Sequence, residues 1–225
     1  MHEIIYHGSD HIIENPQYGE GAINNDYGRG FYCTKSLELA KEWACGKGTN
    51  GYANQYELDT TNLNIINLNE EPYNILNWLA VLTRHRSYWQ RSSISAEAKE
   101  YLQEHFLVDI SDADIVIGYR ADDSYFSFAQ DFVSGAIPLS KLKDAMYLGD
   151  LGLQFVLKSK RAFEAIKYLG NERADAATYF RLKTERDDNA RRLYRASKKG
   201  QNSLDELYIL DIMRGQIDNE DPRLR

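Results

Sequence analysis

Residues 3–10 read EIIYHGSD, an apolar run that closes on a histidine, a glycine and a serine. Glu3 to His7 has the β-branched and aromatic content of a strand, and Gly8 and Ser9 are turn formers that can lead the strand out of a core. The next stretch, NPQYGEGAINNDYGRG at 15–30, holds Pro16 and four glycines. Such a segment does not form a helix, and a loop of this length in a compact domain is usually a lid or a binding loop. It ends in GFYCT at 30–34, a short β-prone run. Then SLELAKEWA at 36–44 sets Leu37, Ala40, Trp43 and Ala44 at helical spacing behind an N-cap at Thr34 or Ser36. The order strand, glycine loop, strand, helix frames everything downstream.

Further along, YANQYELDT (52–60) and LNIINL (63–68) read as strands. A helix over 72–86 carries Ile75, Leu76, Leu79 and Leu82 as a core-facing stripe, and a second helix begins at Ser95. ADIVIGYRADD (113–123) reads as a buried strand ending at Gly118, with Asp122 and Asp123 just beyond it. PLSKLKDAMYL (138–148) reads as a helix, LQFVLKS (153–159) as a strand, KRAFEAIKYL (160–169) as a helix, and LYILDIMRG (207–215) as a last strand. Strands and helices do not alternate strictly, so the expected class is α+β rather than a doubly wound parallel sheet.

The chain has 225 residues, enough for one generous domain, with 43% hydrophobic and 27% charged residues and only 4 prolines, an ordinary soluble composition. Its net charge of −7 excludes a protein coated in basic surface. Residues 181–199 nevertheless hold eight Lys or Arg against three acids. That run is either a solvated amphipathic helix or a contact surface for nucleic acid or an acidic partner. No stretch reaches the roughly 18 apolar residues of a membrane span, and Met1-His2-Glu3 lacks the basic start of a signal peptide. The expected location is cytoplasmic, without a membrane partner. Cys33 and Cys45 form no CxxC pair and read as free thiols, and the five histidines (2, 7, 11, 85 and 105) show no ligand spacing, so no metal is expected. No GxGxxG lies between a strand and a helix, and GxxxxGK[ST] and GxSxG patterns are missing, which removes the Rossmann, P-loop and nucleophile-elbow readings.

YHGS at 6–9, followed by GRGFY at 28–32 and TKSLELAKEWA at 34–44, resembles the first two signature motifs of the ADP-ribosyltransferases of the poly(ADP-ribose) polymerase and diphtheria-toxin class. DIVIG followed by ADD, and a later strand containing Gln154, is similar to an uncharacterised bacterial group within that superfamily. The resemblance implies an α+β fold of split mixed β-sheets with flanking helices over 1–170. Residues 171–225 would then be a charged helical extension with a terminal strand, packed on the same domain. It also implies NAD+ as substrate.

On that resemblance His7 would hydrogen-bond a ribose hydroxyl, Gly8 would bring its backbone amide and carbonyl to the nicotinamide carboxamide, and Ser9 would help in the same pocket. Tyr32 would stack on the nicotinamide ring, while Trp43 either forms the opposite wall or packs in the core. The third catalytic position, commonly Glu, falls on Gln154, which can hydrogen-bond the ribose but carries no charge and cannot act as a base. This makes mono-transfer to a protein or nucleic-acid acceptor the expected activity, as in a bacterial toxin or defence effector with an antitoxin-like partner. An NAD+ glycohydrolase and a non-catalytic NAD+ or ADP-ribose reader are the alternatives. Arg29 would meet the pyrophosphate or is simply a loop arginine, and Asp122 and Asp123 would serve the acceptor side or cap a turn.

Overall fold

A computed structural model describes residues 1–86, 92–121, 123–198 and 206–224, and its class is α+β. The chain runs β1 (His2–Ser9), β2 (Phe31–Cys33), α1 (Leu37–Ala44), β3 (Gly51–Asp59), β4 (Ile65–Asn67), α2 (Ile75–His85), α3 (Ser93–His105), β5 (Ile115–Tyr119) and α4 (Asp123–Val133). It continues through α5 (Leu139–Ala145), β6 (Leu153–Leu157), α6 (Lys160–Glu164), β7 (Ile166–Ala174), α7 (Ala176–Lys198) and α8 (Ile209–Arg214).

Two sheets result. One is antiparallel in the order β1–β3–β7, and the other is mixed in the order β2–β6–β5–β4, with β4 parallel to β5. Their backbones are bridged where Tyr6 and Thr34 exchange hydrogen bonds of 2.8 and 2.9 Å. Beyond that bridge β1 and β2 part, and a cleft opens between the sheets. Ile5, Phe31, Tyr56, Leu58, Phe155 and Leu157 fill the space behind it.

The larger core is built on α2. Asn74 caps this helix in a reciprocal box with Asn77, and Leu76, Trp78, Leu79 and Leu82 are all fully buried. Each such side chain contributes about 1.5–3 kcal/mol on burial, so α2 is the anchor against which α3, α4 and β5 are set. Ser36, not Thr34, caps α1. Cys33 and Cys45 are both buried free thiols.

Three expectations change. KRAFEAIKYL is not one helix: α6 stops at Glu164 and Ile166–Ala174 is β7, paired along β3. This strand spans residues 170 and 171, so the charged extension begins inside a sheet, and its helix starts only at Ala176. LYILDIMRG is not a strand, because Ile209 and Ile212 are buried one helical turn apart in α8, with Asp211 accepting from the Tyr208 N–H. The SYFSFAQDFV segment, for which no element was expected, forms most of α4, burying Tyr125, Phe128, Ala129 and Phe132 on one face. Among the described residues no helix is long and apolar enough to cross a membrane.

Candidate functional site

His7 and Gly8 of β1, Phe31 and Tyr32 of β2, Trp43 of α1 and Gln154 of β6 line one cleft of about 480 Å3 at the parting of the sheets. The glycine-rich loop closes its outer rim. That loop is pinned at two ends. At the first, the buried Asn54 side chain accepts from the Ile13 N–H at 2.9 Å and donates to Ser9 Oγ at 2.9 Å, while the Tyr56 hydroxyl donates to the Ile13 carbonyl. At the second, the Lys158 ammonium donates to the Tyr27 carbonyl at 2.6 Å and the Arg29 carbonyl at 3.2 Å.

His7 has a defined proton. Its Nδ1 lies 2.7 Å from the Tyr32 carbonyl, an atom that only accepts, so Nδ1 carries the hydrogen and Nε2 keeps its lone pair. Burial lowers the ring's pKa, which keeps it neutral at pH 7, and the ring stacks on Phe31 at 4.3 Å between centroids. The residue therefore presents a fixed hydrogen-bond acceptor.

Gly8 offers its backbone. Successive residues of a strand point their N–H and C=O to opposite edges, and Tyr6 spends both on Thr34 at the edge away from β3. Two residues later the Gly8 N–H and C=O face that same edge, where β2 has departed and the cleft lies. A glycine is required for a second reason. An added Cβ would sit 2.1 Å from the Ala40 carbonyl oxygen and 2.8 Å from the Ala44 amide, so α1 packs directly on this strand. The missing side chain makes room for the helix, and the backbone edge is what the cleft receives.

Tyr32 is held by its tip: the hydroxyl donates to the Gly28 carbonyl at 2.6 Å and accepts from the Tyr27 N–H at 3.0 Å. Burial raises its pKa, so it remains a phenol. Trp43 is half-buried in the wall, and the Arg120 guanidinium lies 3.2 Å above its ring.

Gln154 is buried, and its partner was not visible in the sequence. Its Nε2 donates at 3.0 Å to Oδ2 of Asp26, which also accepts from the Ala121 N–H at 2.9 Å. Oδ1 of Asp26 accepts from Arg86 Nε at 2.9 Å and Nη2 at 2.6 Å. A carboxylate cannot donate, so the amide orientation of Gln154 is fixed with Oε1 as its remaining acceptor. Burial pushes the Asp26 carboxyl up, against the opposing pull of Arg86 and the Ala121 N–H. Asp26 and Arg86 are the cleft's additions to the expected set, with Asn54 behind it holding the loop.

Two expected residues lie elsewhere. Ser9 donates to the His11 carbonyl at 2.5 Å and so secures the loop rather than lining the cleft. Arg29 is exposed, with its side chain outside the lining, and Arg120 is the arginine at the wall. Asp122 and the Asp123 side chain lie outside the described residues. Among those residues no cluster of three or more His, Cys, Asp or Glu could hold a metal ion.

A family model described as protein of unknown function (DUF3990) matches residues 3–168, from β1 to the third residue of β7. No curated protein and no solved structure matches the chain.

Proposed function

We infer the activity from the cleft itself, because this chain belongs to the DUF3990 family, which is described only as of unknown function. The proposal is an NAD+-dependent mono-ADP-ribosyltransferase acting on a macromolecular acceptor. The observation that carries it is the convergence of the Gly8 backbone edge, the neutral His7 Nε2, the Tyr32 ring and the oriented Gln154 amide in one hollow.

Each of these groups matches a part of the substrate. A primary carboxamide has one donor and one acceptor side, and a paired backbone N–H and C=O is its complement. Tyr32, tied at its hydroxyl, keeps a flat face for a flat cationic ring. His7 Nε2 and Gln154 Oε1 are two acceptors for ribose hydroxyls. In the reaction the C1′–N bond of NAD+ breaks, nicotinamide leaves with the electron pair, C1′ bonds to the acceptor heteroatom, and the acceptor's proton passes to water. The protein's part is to bind, orient and exclude solvent. Asp26 is neutralised by Arg86, so its contribution is the orientation of Gln154 rather than free negative charge. With no base at position 154, single transfer is favoured over chain extension.

That same glutamine supports a second reading, a module that binds NAD+ without turning it over. Calorimetry with NAD+ and with nicotinamide, followed by a long incubation with and without cell extract, separates the two. Transfer predicts binding, extract-stimulated nicotinamide release and label on a macromolecule. Binding with intact NAD+ leaves the reader, release without an acceptor indicates a glycohydrolase, and no binding at millimolar ligand removes the whole proposal.

A further inference from the structure

A second hollow, of about 400 Å3, adjoins the cleft and shares Trp43, Arg86 and Arg120 with it. We propose that this hollow is the acceptor subsite and that the acceptor it takes is a nucleotide unit of a nucleic-acid strand. The inference rests on the transferase reading above.

Its chemistry is that of an anion site with aromatic walls. Two acids lie in it, but both are already engaged: Glu42 by Arg186 at 2.9 and 2.7 Å, and Asp187 by Arg191 at 2.8 Å and by the Ser124 hydroxyl. Lys183 has no ion-pair partner among the described residues, although it lines the hollow. Arg120 is laid flat on Trp43, and the Trp43 indole N–H is buried without a hydrogen-bond partner among the described residues. Phe180, half-buried, completes the wall with aromatic surface on which a base can lie. In a chain of net charge −7 such a hollow is a local exception.

Position argues for the acceptor rather than the donor. The shared residues border the Gln154–Asp26–Arg86 chain of hydrogen bonds, which marks where the reacting carbon must lie. The opposite rim of the cleft, at His11, Pro16 and Gln17, leaves room for the rest of NAD+. A nucleoside amine or hydroxyl reaching in from the hollow forms the new bond to C1′ as nicotinamide leaves with its electron pair, and the nucleophile's proton goes to water.

The test uses the full chain with nucleoside monophosphates and short single-stranded RNA and DNA as probes, followed by titration calorimetry and by mass spectrometry after incubation with NAD+. Expected are binding, a mass gain of one ADP-ribose on a probe, and about tenfold weaker probe binding in Lys183→Ala. The salt slope should also fall by about one in that variant, Lys183→Arg should rescue it, and NAD+ affinity should be unchanged. Modification of strands supports the proposal, and modification of monophosphates alone overturns the macromolecular acceptor. The proposal is overturned if probes do not bind while NAD+ does. It is equally overturned if probes compete with NAD+ and Lys183→Ala weakens both alike, because the hollow then holds the donor's own nucleotide, or if label from extract lands only on protein. Probe binding that depends on Lys183 without any NAD+ binding would instead remove the transferase reading, and the acceptor role with it.

Discussion

Replacing Asp26 with Asn changes one atom pair and should disturb the cleft through Gln154. Asp26 accepts four hydrogen bonds, two from Arg86 on Oδ1 and one each from Ala121 N–H and Gln154 Nε2 on Oδ2. In the Asp26→Asn variant the amide oxygen keeps Arg86, and the new NH2 faces two other donors. The Ala121 N–H then loses its partner, which costs about 1–3 kcal/mol, and the Arg86 bonds lose their charge assistance. A total of about 2–4 kcal/mol lies below the stability of an ordinary domain, so the variant folds with a melting temperature lower by about 5–15 °C. Gln154 can relieve its clash only by turning over, which brings Oε1 to position 26 and sends NH2 into the cleft. An acceptor fixed for a ribose hydroxyl becomes a donor, worth about 1–2 kcal/mol of binding, or roughly five- to thirtyfold in NAD+ affinity. A double-mutant cycle by calorimetry isolates the route. In a Gln154→Ala background, Asp26→Asn should change NAD+ affinity by less than about twofold, because the side chain it orients is gone. Losses that simply add would refute the positioning role.

Gly8→Ala should lower the melting temperature by about 6–12 °C through an overpacking cost near 3 kcal/mol, because the new Cβ meets α1 backbone at 2.1 Å; a change under 2 °C would show that β1 and α1 separate freely. NAD+ affinity should fall on acidification with a midpoint below pH 6.5, since burial holds His7 under its usual 6.5 and only protonation removes the Nε2 acceptor; a midpoint above 6.5 contradicts the burial argument. Thermal stability should decline over the same acid range. His85 is lowered to about 4, mainly by burial, so its contribution is full above pH 6.5 and lost as pH falls toward 4, and a His85→Gln variant should show a shallower decline in melts across pH 4–7. Arg186→Met should destabilise by about 3–5 kcal/mol in urea titrations because it strands the buried Glu42, and Glu42→Met in the same chain should recover most of that loss; no recovery would mean that Arg186 acts elsewhere.

The elements legible in the sequence were those with a local pattern. α2 announces itself by Ile75, Leu76, Leu79 and Leu82, and β1 by its β-branched run. β7 was not legible because Ala162, Phe163, Ile166 and Leu169 fit a helical stripe as well as Ile166 and Tyr168 fit alternation, and pairing with β3 decided the contest. α8 misled in the opposite sense, its Leu, Tyr and Ile residues favouring a strand until burial at Ile209 and Ile212 selected a helix. α4 carries a legible signal in Tyr125, Phe128, Ala129 and Phe132 at helical spacing. In the cleft, His7, Gly8, Tyr32 and Gln154 stood in short motifs. Asp26 could not be found that way: it is one acid in a polar loop, and its partners are 60, 95 and 128 positions away. Only the folded chain brings them together.

The family match ends at residue 168, inside β7, whereas Phe180 and Lys183 of the second hollow belong to α7. The second hollow therefore adds an α7 wall to three residues, Trp43, Arg86 and Arg120, that it shares with the cleft. A chimera joined after Ala174, where the sheet is complete, would keep every residue of the cleft while exchanging the α7 wall. Cutting at 168 would leave most of β3's outer edge unpaired and invite strand exchange between molecules. Modularity in this protein thus has a grain, and the seam along which it can be split lies six residues past the point where sequence similarity stops.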